Sequence, residues 1–196
     1  KYTLPFAGSY VLGGRLHTKN RYLGTATWDV CAEYLRSKEN IATNVICLRE
    51  NDVFDLKSGR PSNPYLPVDV EQMNHYIEET LSKMVYPYEE DESPDLSQLE
   101  SDLSVAIKGM FERANRVGIN PDCNVVLEYS GREKILIDVE NPKADMTCTI
   151  DERLLRRVLS RKSHWNNAEI GCHISFVRQP NYYSPDIHTM LQFLHI

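Results

Sequence analysis

The apolar pattern changes period from helical to alternating between Gly118 and Pro121, and that change limits what the chain can fold into. Before it, Leu99, Leu103, Ile107, Met110, Phe111 and Ala114 recur at helical spacing, a stripe that must be buried against another element. Ser97-Gln-Leu-Glu100 reads as a capping box that opens this helix, and Gly118 and Pro121 end it. After it, Cys123, Val125, Leu127 and Tyr129 alternate, Ser130-Gly131 turns the chain, and Ile135, Ile137 and Val139 alternate back. Met146, Cys148 and Ile150 make a third strand beyond Asn141-Pro142, so a three-stranded meander is predicted. Asp151 caps a short helix over 152–161, and a fourth strand falls around His173 to Arg178. Ser184-Pro185 opens a last helix with Ile187, Met190, Leu191 and Leu194 on one stripe. Residues 96–196 are expected to form an α+β domain with a mainly antiparallel sheet.

The first sixty residues read as strand, turn, helix, strand: the tail of a layered α/β domain. Leu4-Pro5-Phe6-Ala7-Gly8 reads as a buried strand entering a glycine turn, with no initiator Met and no polar approach. The chain is therefore expected to be the C-terminal part of a larger protein. Thr27 is placed to cap a helix over 28–37, and Asn44 to Leu48 is a short apolar strand. Residues 61–95 read as a helical connector and a linker. Asp69 caps a helix with Val70, Met73, Ile77, Leu81 and Met84 at helical spacing, and Pro87 to Asp95 is acidic and flanked by prolines.

Composition narrows the partners. A net charge of −6 disfavours duplex nucleic acid, whose phosphates need clustered Lys and Arg. The basic stretch Arg153, Arg156, Arg157, Arg161, Lys162 reads as the solvated face of a helix. No apolar run approaches the roughly 20 residues of a membrane-spanning helix. The five cysteines stand singly, without a C-x-x-C pair, which suggests reduced thiols in a cytoplasmic setting.

Two sets of segments resemble a known family. Tyr2-Thr-Leu-Pro-Phe-Ala-Gly8, with Asp52-Val-Phe-Asp-Leu56 beyond it, is similar to the last quarter of the metallo-β-lactamase-fold domain in CMP-N-acetylneuraminate hydroxylase and its bacterial relatives. Leu154-Leu-Arg-Arg-Val-Leu159, His164-Trp-Asn-Asn-Ala-Glu-Ile-Gly171 and Arg178-Gln-Pro-Asn-Tyr182 resemble the C-terminal segment of the same proteins. In element order the second half also resembles sterol-carrier-protein-type domains. The resemblance implies a metal-dependent hydrolase or oxygenase acting on a sugar nucleotide or a similar polar substrate. It implies a divalent metal (iron or zinc) in the full-length protein, accompanied in the hydroxylases by a Rieske iron–sulfur centre. A His-x-His-x-Asp-His run and a Cys/His Rieske set are both missing from this chain. Neither cofactor is thus expected to be bound by this segment, which needs the upstream part of the same polypeptide for activity.

Two stretches are candidate substrate contacts. Phe6, Ala7, Gly8 and Ser9 combine small side chains with a hydroxyl and amides suited to an anion, or simply form a strand-to-loop turn. His164, Trp165, Asn166, Asn167 and Glu169 gather an aromatic face, two amides and a carboxylate suited to a base or sugar. Equally, they make a capped turn whose Trp165 plugs the core. His188 and His195, seven residues apart, are a poor metal pair. The rival to the enzyme reading is a non-catalytic module from residue 97 onward that binds an apolar ligand or mediates homo-oligomerisation.

Overall fold

A computed structural model describes residues 2–4, 10–24, 26–38 and 44–196. Its contacts separate two units, Lys1–Met84 and Val85–Ile196.

In the first unit, β1 (Tyr2–Thr3) pairs in parallel with β2 (Asn44–Val45), and the Ile46 amide extends the ladder by donating to the Thr3 carbonyl at 2.9 Å. A 3-10 run over Gly14–Tyr22 leads to α1 (Trp28–Arg36). Thr27 stands at the N-cap of α1, but its side chain makes no cap bond. A hairpin of β3 (Phe54–Asp55) and β4 (Arg60–Pro61) turns at Gly59, whose φ of +66° is left-handed. Asp69 caps α2 (Val70–Glu79) by accepting from the Gln72 amide at 3.0 Å. The helical stripe expected to reach Met84 stops short of it. Thr80 leaves helical dihedrals (φ −120°, ψ −61°), and Leu81–Lys83 continues as one 3-10 turn. Ala32, Val45 and Cys47 form a small buried cluster with Leu35 and Tyr65 against it.

The second unit is built on α3 (Leu96–Arg116) and a four-stranded sheet. Asp95, not Ser97, is the N-cap; its carboxylate accepts from the Ser97 amide at 2.8 Å and the Gln98 amide at 3.4 Å. Glu100, expected to close a capping box, instead pairs with Arg132 at 3.1 Å. Gly118 at φ +75° lets the chain reverse, so that the Ile119 amide bonds the Ala114 carbonyl at 3.0 Å. β5 (Asn124–Tyr129) and β6 (Arg132–Ile137) form an antiparallel hairpin closed by Ser130 and Gly131, both at positive φ. The meander expectation fails at the next strand. β7 (Asp145–Thr149) crosses over and pairs in parallel with the far side of β5, giving the order β6-β5-β7-β8. Asn124 fixes that crossover: its side-chain amide donates to Asp145 at 2.8 Å and its oxygen accepts from the Val139 amide at 2.9 Å. β8 (Ser175–Gln179) is antiparallel to β7.

α4 (Glu152–Leu159), capped by Asp151, is followed by α5 (Trp165–Ile170) and α6 (Pro185–Leu191), the last with Ser184 as its cap. One continuous core joins helices and sheet. Leu103, Met110, Val125, Leu127, Leu155, Met190 and Leu191 have no exposed surface, and each side chain of this kind contributes about 1.5–3 kcal/mol. The chain is mixed α/β, with mostly antiparallel pairing in this unit.

The acidic run and the basic stretch meet in the second unit. Arg157 grips Asp91 with two bonds, 2.6 and 2.7 Å, and donates to the Pro87 carbonyl at 3.0 Å. Arg153 donates to the Glu89 carbonyl at 2.8 Å. The Arg157 hydrogen bond holds the Asp91 carboxyl down to about 2. Tyr88, within the stretch read as a linker, is 4% exposed and belongs to the core. Arg153 and Arg157 are therefore anchors, while Arg161 and Lys162 remain exposed as the sequence suggested.

Candidate functional site

The first unit holds a groove of about 530 Å³ between the Gly14–Tyr22 run and α2, within the ~300–1,000 Å³ of small-molecule sites. Val11, Leu23, Met73 and Ile77 give it apolar lining, and His17, Asn20, Arg21, Asn74 and Glu78 give it polar lining. Asn20 holds the near wall by a double clamp on Leu12: its Oδ1 accepts from the Leu12 amide at 2.7 Å and its Nδ2 donates to the Leu12 carbonyl at 2.9 Å. His17 Nδ1 lies 2.9 Å from the Gly14 carbonyl. A carbonyl can only accept, so Nδ1 carries the proton and Nε2 is left as an acceptor in the neutral ring. Glu78 lies 3.8 Å from Nε2 and is mostly exposed. Such a groove can hold a polar ring by hydrogen bonds and an anionic group at the Arg21 guanidinium.

Phe6, Ala7, Gly8 and Ser9 lie outside the described residues. The His164 to Glu169 stretch runs from the N-cap of α5 through most of that helix, and its side chains diverge. Trp165 is 1% exposed within the core, which is the plug role, so its ring offers no stacking face to a ligand. His164 is exposed at the N-cap and makes no cap bond. Asn166 Oδ1 accepts from the Asn167 amide at 2.9 Å.

Glu169 turns to His188, 2.5 Å from its Nδ1, a close contact without the alignment of a hydrogen bond. The His188 Nε2 lies 3.0 Å from Arg178 Nη2. Arginine can only donate, so Nε2 accepts and Nδ1 holds the proton that faces the carboxylate. Tyr183 stacks on the imidazole at 4.7 Å and closes it off. His188 is thus a structural histidine, enclosed by Glu169, Arg178 and Tyr183. His195 lies beyond the end of α6, so the two do not share a helix face.

Of the predicted residues, Asn167 lines a cleft of about 180 Å³ that it shares with Tyr86, Tyr88, Ser163 and His173, whereas His164 and Trp165 border only a crevice of about 10 Å³. His173, expected on the fourth strand, lies before that strand starts. Its Nδ1 meets the Tyr88 hydroxyl at 3.1 Å, and its ring stands edge-on to Tyr86 and Tyr88 at 4.4 and 5.4 Å. The tyrosines went unnoticed because they sit in an acidic, proline-flanked run. Two aromatics two residues apart were the signal, since a solvated linker has no use for them.

Among the described residues no group of three or more His, Cys, Asp or Glu is placed to hold a metal, so these residues do not form a site for iron or zinc. The five cysteines are free thiols. Burial pushes the Cys148 thiol up to about 12, which makes it an inert core side chain. Among the described residues no helix is long and apolar enough to cross a membrane. No protein-family model, no curated protein and no solved structure matches this chain.

Proposed function

We propose that this chain is the C-terminal portion of a metal-dependent hydrolase or oxygenase of the metallo-β-lactamase type, acting on a sugar nucleotide or a similar polar substrate. The observation that carries the reading is the groove of the first unit, whose size and mixed lining suit a polar substrate with an anionic group. It follows directly on the segment Tyr2 to Gly8, which bears the resemblance. In this reading the groove is one wall of the substrate cleft. Arg21 binds phosphate, Asn20 and Asn74 hydrogen-bond sugar or base, and the Nε2 of His17, with Glu78 3.8 Å away, accepts a hydrogen bond from a substrate hydroxyl. Metal donors come from polypeptide outside this chain, so the segment alone binds and orients but does not turn over.

The test is a titration of the chain with CMP- and UDP-sugars, followed by amide chemical shifts. Saturable shifts at Asn20, Arg21 and Asn74 that vanish in Arg21→Ala support the groove, and their absence sinks it. Metal analysis of the polypeptide purified with its native upstream sequence tests the other half. A preparation free of iron and zinc breaks the metal assignment.

A further inference from the structure

We propose that the cleft beside α5 in the second unit binds a single neutral pyranose ring. This stands whether or not the groove of the first unit takes a sugar nucleotide. At about 180 Å³ the cleft is smaller than the roughly 300–1,000 Å³ of sites for larger molecules, so it accommodates one ring rather than a nucleotide.

Its wall is rigid. The Tyr86 amide donates to Glu89 Oε2 at 2.9 Å, and the Glu89 amide returns to the Tyr86 carbonyl at 2.8 Å. Arg153 and Arg157 then tie the Glu89 and Pro87 carbonyls to α4. On the far side, Gly171 lets His173 close in. A Cβ there would lie 2.8 Å from the imidazole Cδ2 and 3.0 Å from the Asn167 carbonyl oxygen, so only glycine fits. A site held this way loses little freedom on binding.

The chemistry of the lining selects the ligand. Arg157 is neutralised by its two bonds to Asp91, so the cleft offers an anion little attraction. The Asn167 side-chain amide and the Ser163 hydroxyl make no hydrogen bond to other described residues. Together they supply donors and acceptors for neighbouring ring hydroxyls. The half-buried Tyr86 ring offers apolar surface for the C–H face of a sugar, while Tyr88, buried in the core, only backs the wall. A planar base fits poorly. Tyr86 and Tyr88 are parallel with centroids only 6.0 Å apart, whereas a base between two rings needs two contacts of at least about 4.5 Å each.

Amide spectra of the whole chain, titrated with methyl glucoside, methyl galactoside and methyl mannoside and with cytidine and adenosine as comparators, decide the matter. At least one glycoside is expected to shift the amides of Tyr86, Ser163, Asn167 and His173 saturably. Asn167→Ala and Ser163→Ala remove side chains without partners, so both should keep the wild-type Tm while each weakens binding by about tenfold. The proposal is overturned if no glycoside moves these amides, if both substitutions leave affinity unchanged, or if a nucleoside binds there more tightly than every glycoside.

Discussion

In the second unit, helices and sheet share one core that runs from Tyr88 to Leu194. The described part of the first unit has the small cluster of Ala32, Val45 and Cys47, and its loops are held by polar side chains. Asn20 clamps Leu12, and Asp52 gathers Arg49, Ser62 and Asn63 at the base of a hairpin. The difference teaches how each unit can serve a ligand. A shared core gives rigidity throughout, so a site can sit on its surface at little cost. A loop-built unit gets its shape from individual hydrogen bonds, each worth about 0.5–1.5 kcal/mol, and its groove is correspondingly easy to alter.

The strongest way to break that comparison is Leu103→Ala. A fully buried leucine lost from a continuous core should cost ~2–5 kcal/mol. In urea unfolding followed at Trp165 the midpoint should fall, while Trp28, observed in a Trp165→Phe background, should keep its own transition. Coincident shifts at both tryptophans would show that the units do not unfold separately.

Next comes Asp122, which accepts from Ser184 at 2.5 Å, Tyr182 at 3.0 Å and Lys143 at 3.0 Å. Burial alone would raise its carboxyl, but the bonds from Ser184, Lys143 and Tyr182 win and hold it down to about 2. Asp122→Ala should cost ~1.5–3 kcal/mol. A carboxyl that titrates near 3.8 when unfolded and near 2 when folded contributes stability above about pH 4, lost as pH falls through about 2. Asp91 behaves likewise. Acid denaturation of Asp122→Asn should therefore lose part of the slope between pH 4 and 2, and an unchanged slope would remove Asp122 from the account.

Asn20→Ala should act more locally. Hydrogen exchange at the Leu12 amide should speed up by about tenfold, at ~1–2 kcal/mol, with amides of the second unit unaffected. Arg132→Ala should do least. Its pair with Glu100 is nearly half exposed on both sides, so a change in midpoint beyond that of ~1 kcal/mol would contradict its surface character.

Much of this fold was legible in the chain. Asp69, Asp151 and Ser184 cap as read, because a short polar side chain before an apolar stripe has one good use there. The alternation from Cys123 to Ile137 located the β5–β6 hairpin. What periodicity cannot carry is pairing partner, since β7 shows the same alternation beside β5 or beside β6. The choice rests on Asn124, whose side chain reaches fifteen residues ahead to Val139. Charge runs misled for a similar reason. Residues 89–92 and 153–162 each read as solvated alone, and only the fold brings Arg157 onto Asp91. Of the candidate contacts read from the sequence, Asn167 lines the cleft beside α5, whereas Trp165 and Glu169 are taken up by structural partners.

The parallel pairing of β5 with β7 also orders the events by which this sheet is assembled. β5 and β6 are joined by two residues and can zip locally on the microsecond scale. β7 must then swing past that finished hairpin, and β8 cannot dock until α4 and α5 have been laid down between. The nucleus is thus expected around Leu127 and Leu136, with β8 arriving last. Folding-rate measurements on Leu136→Ala and Phe176→Ala check it: the first should slow folding, and the second should mainly hasten unfolding.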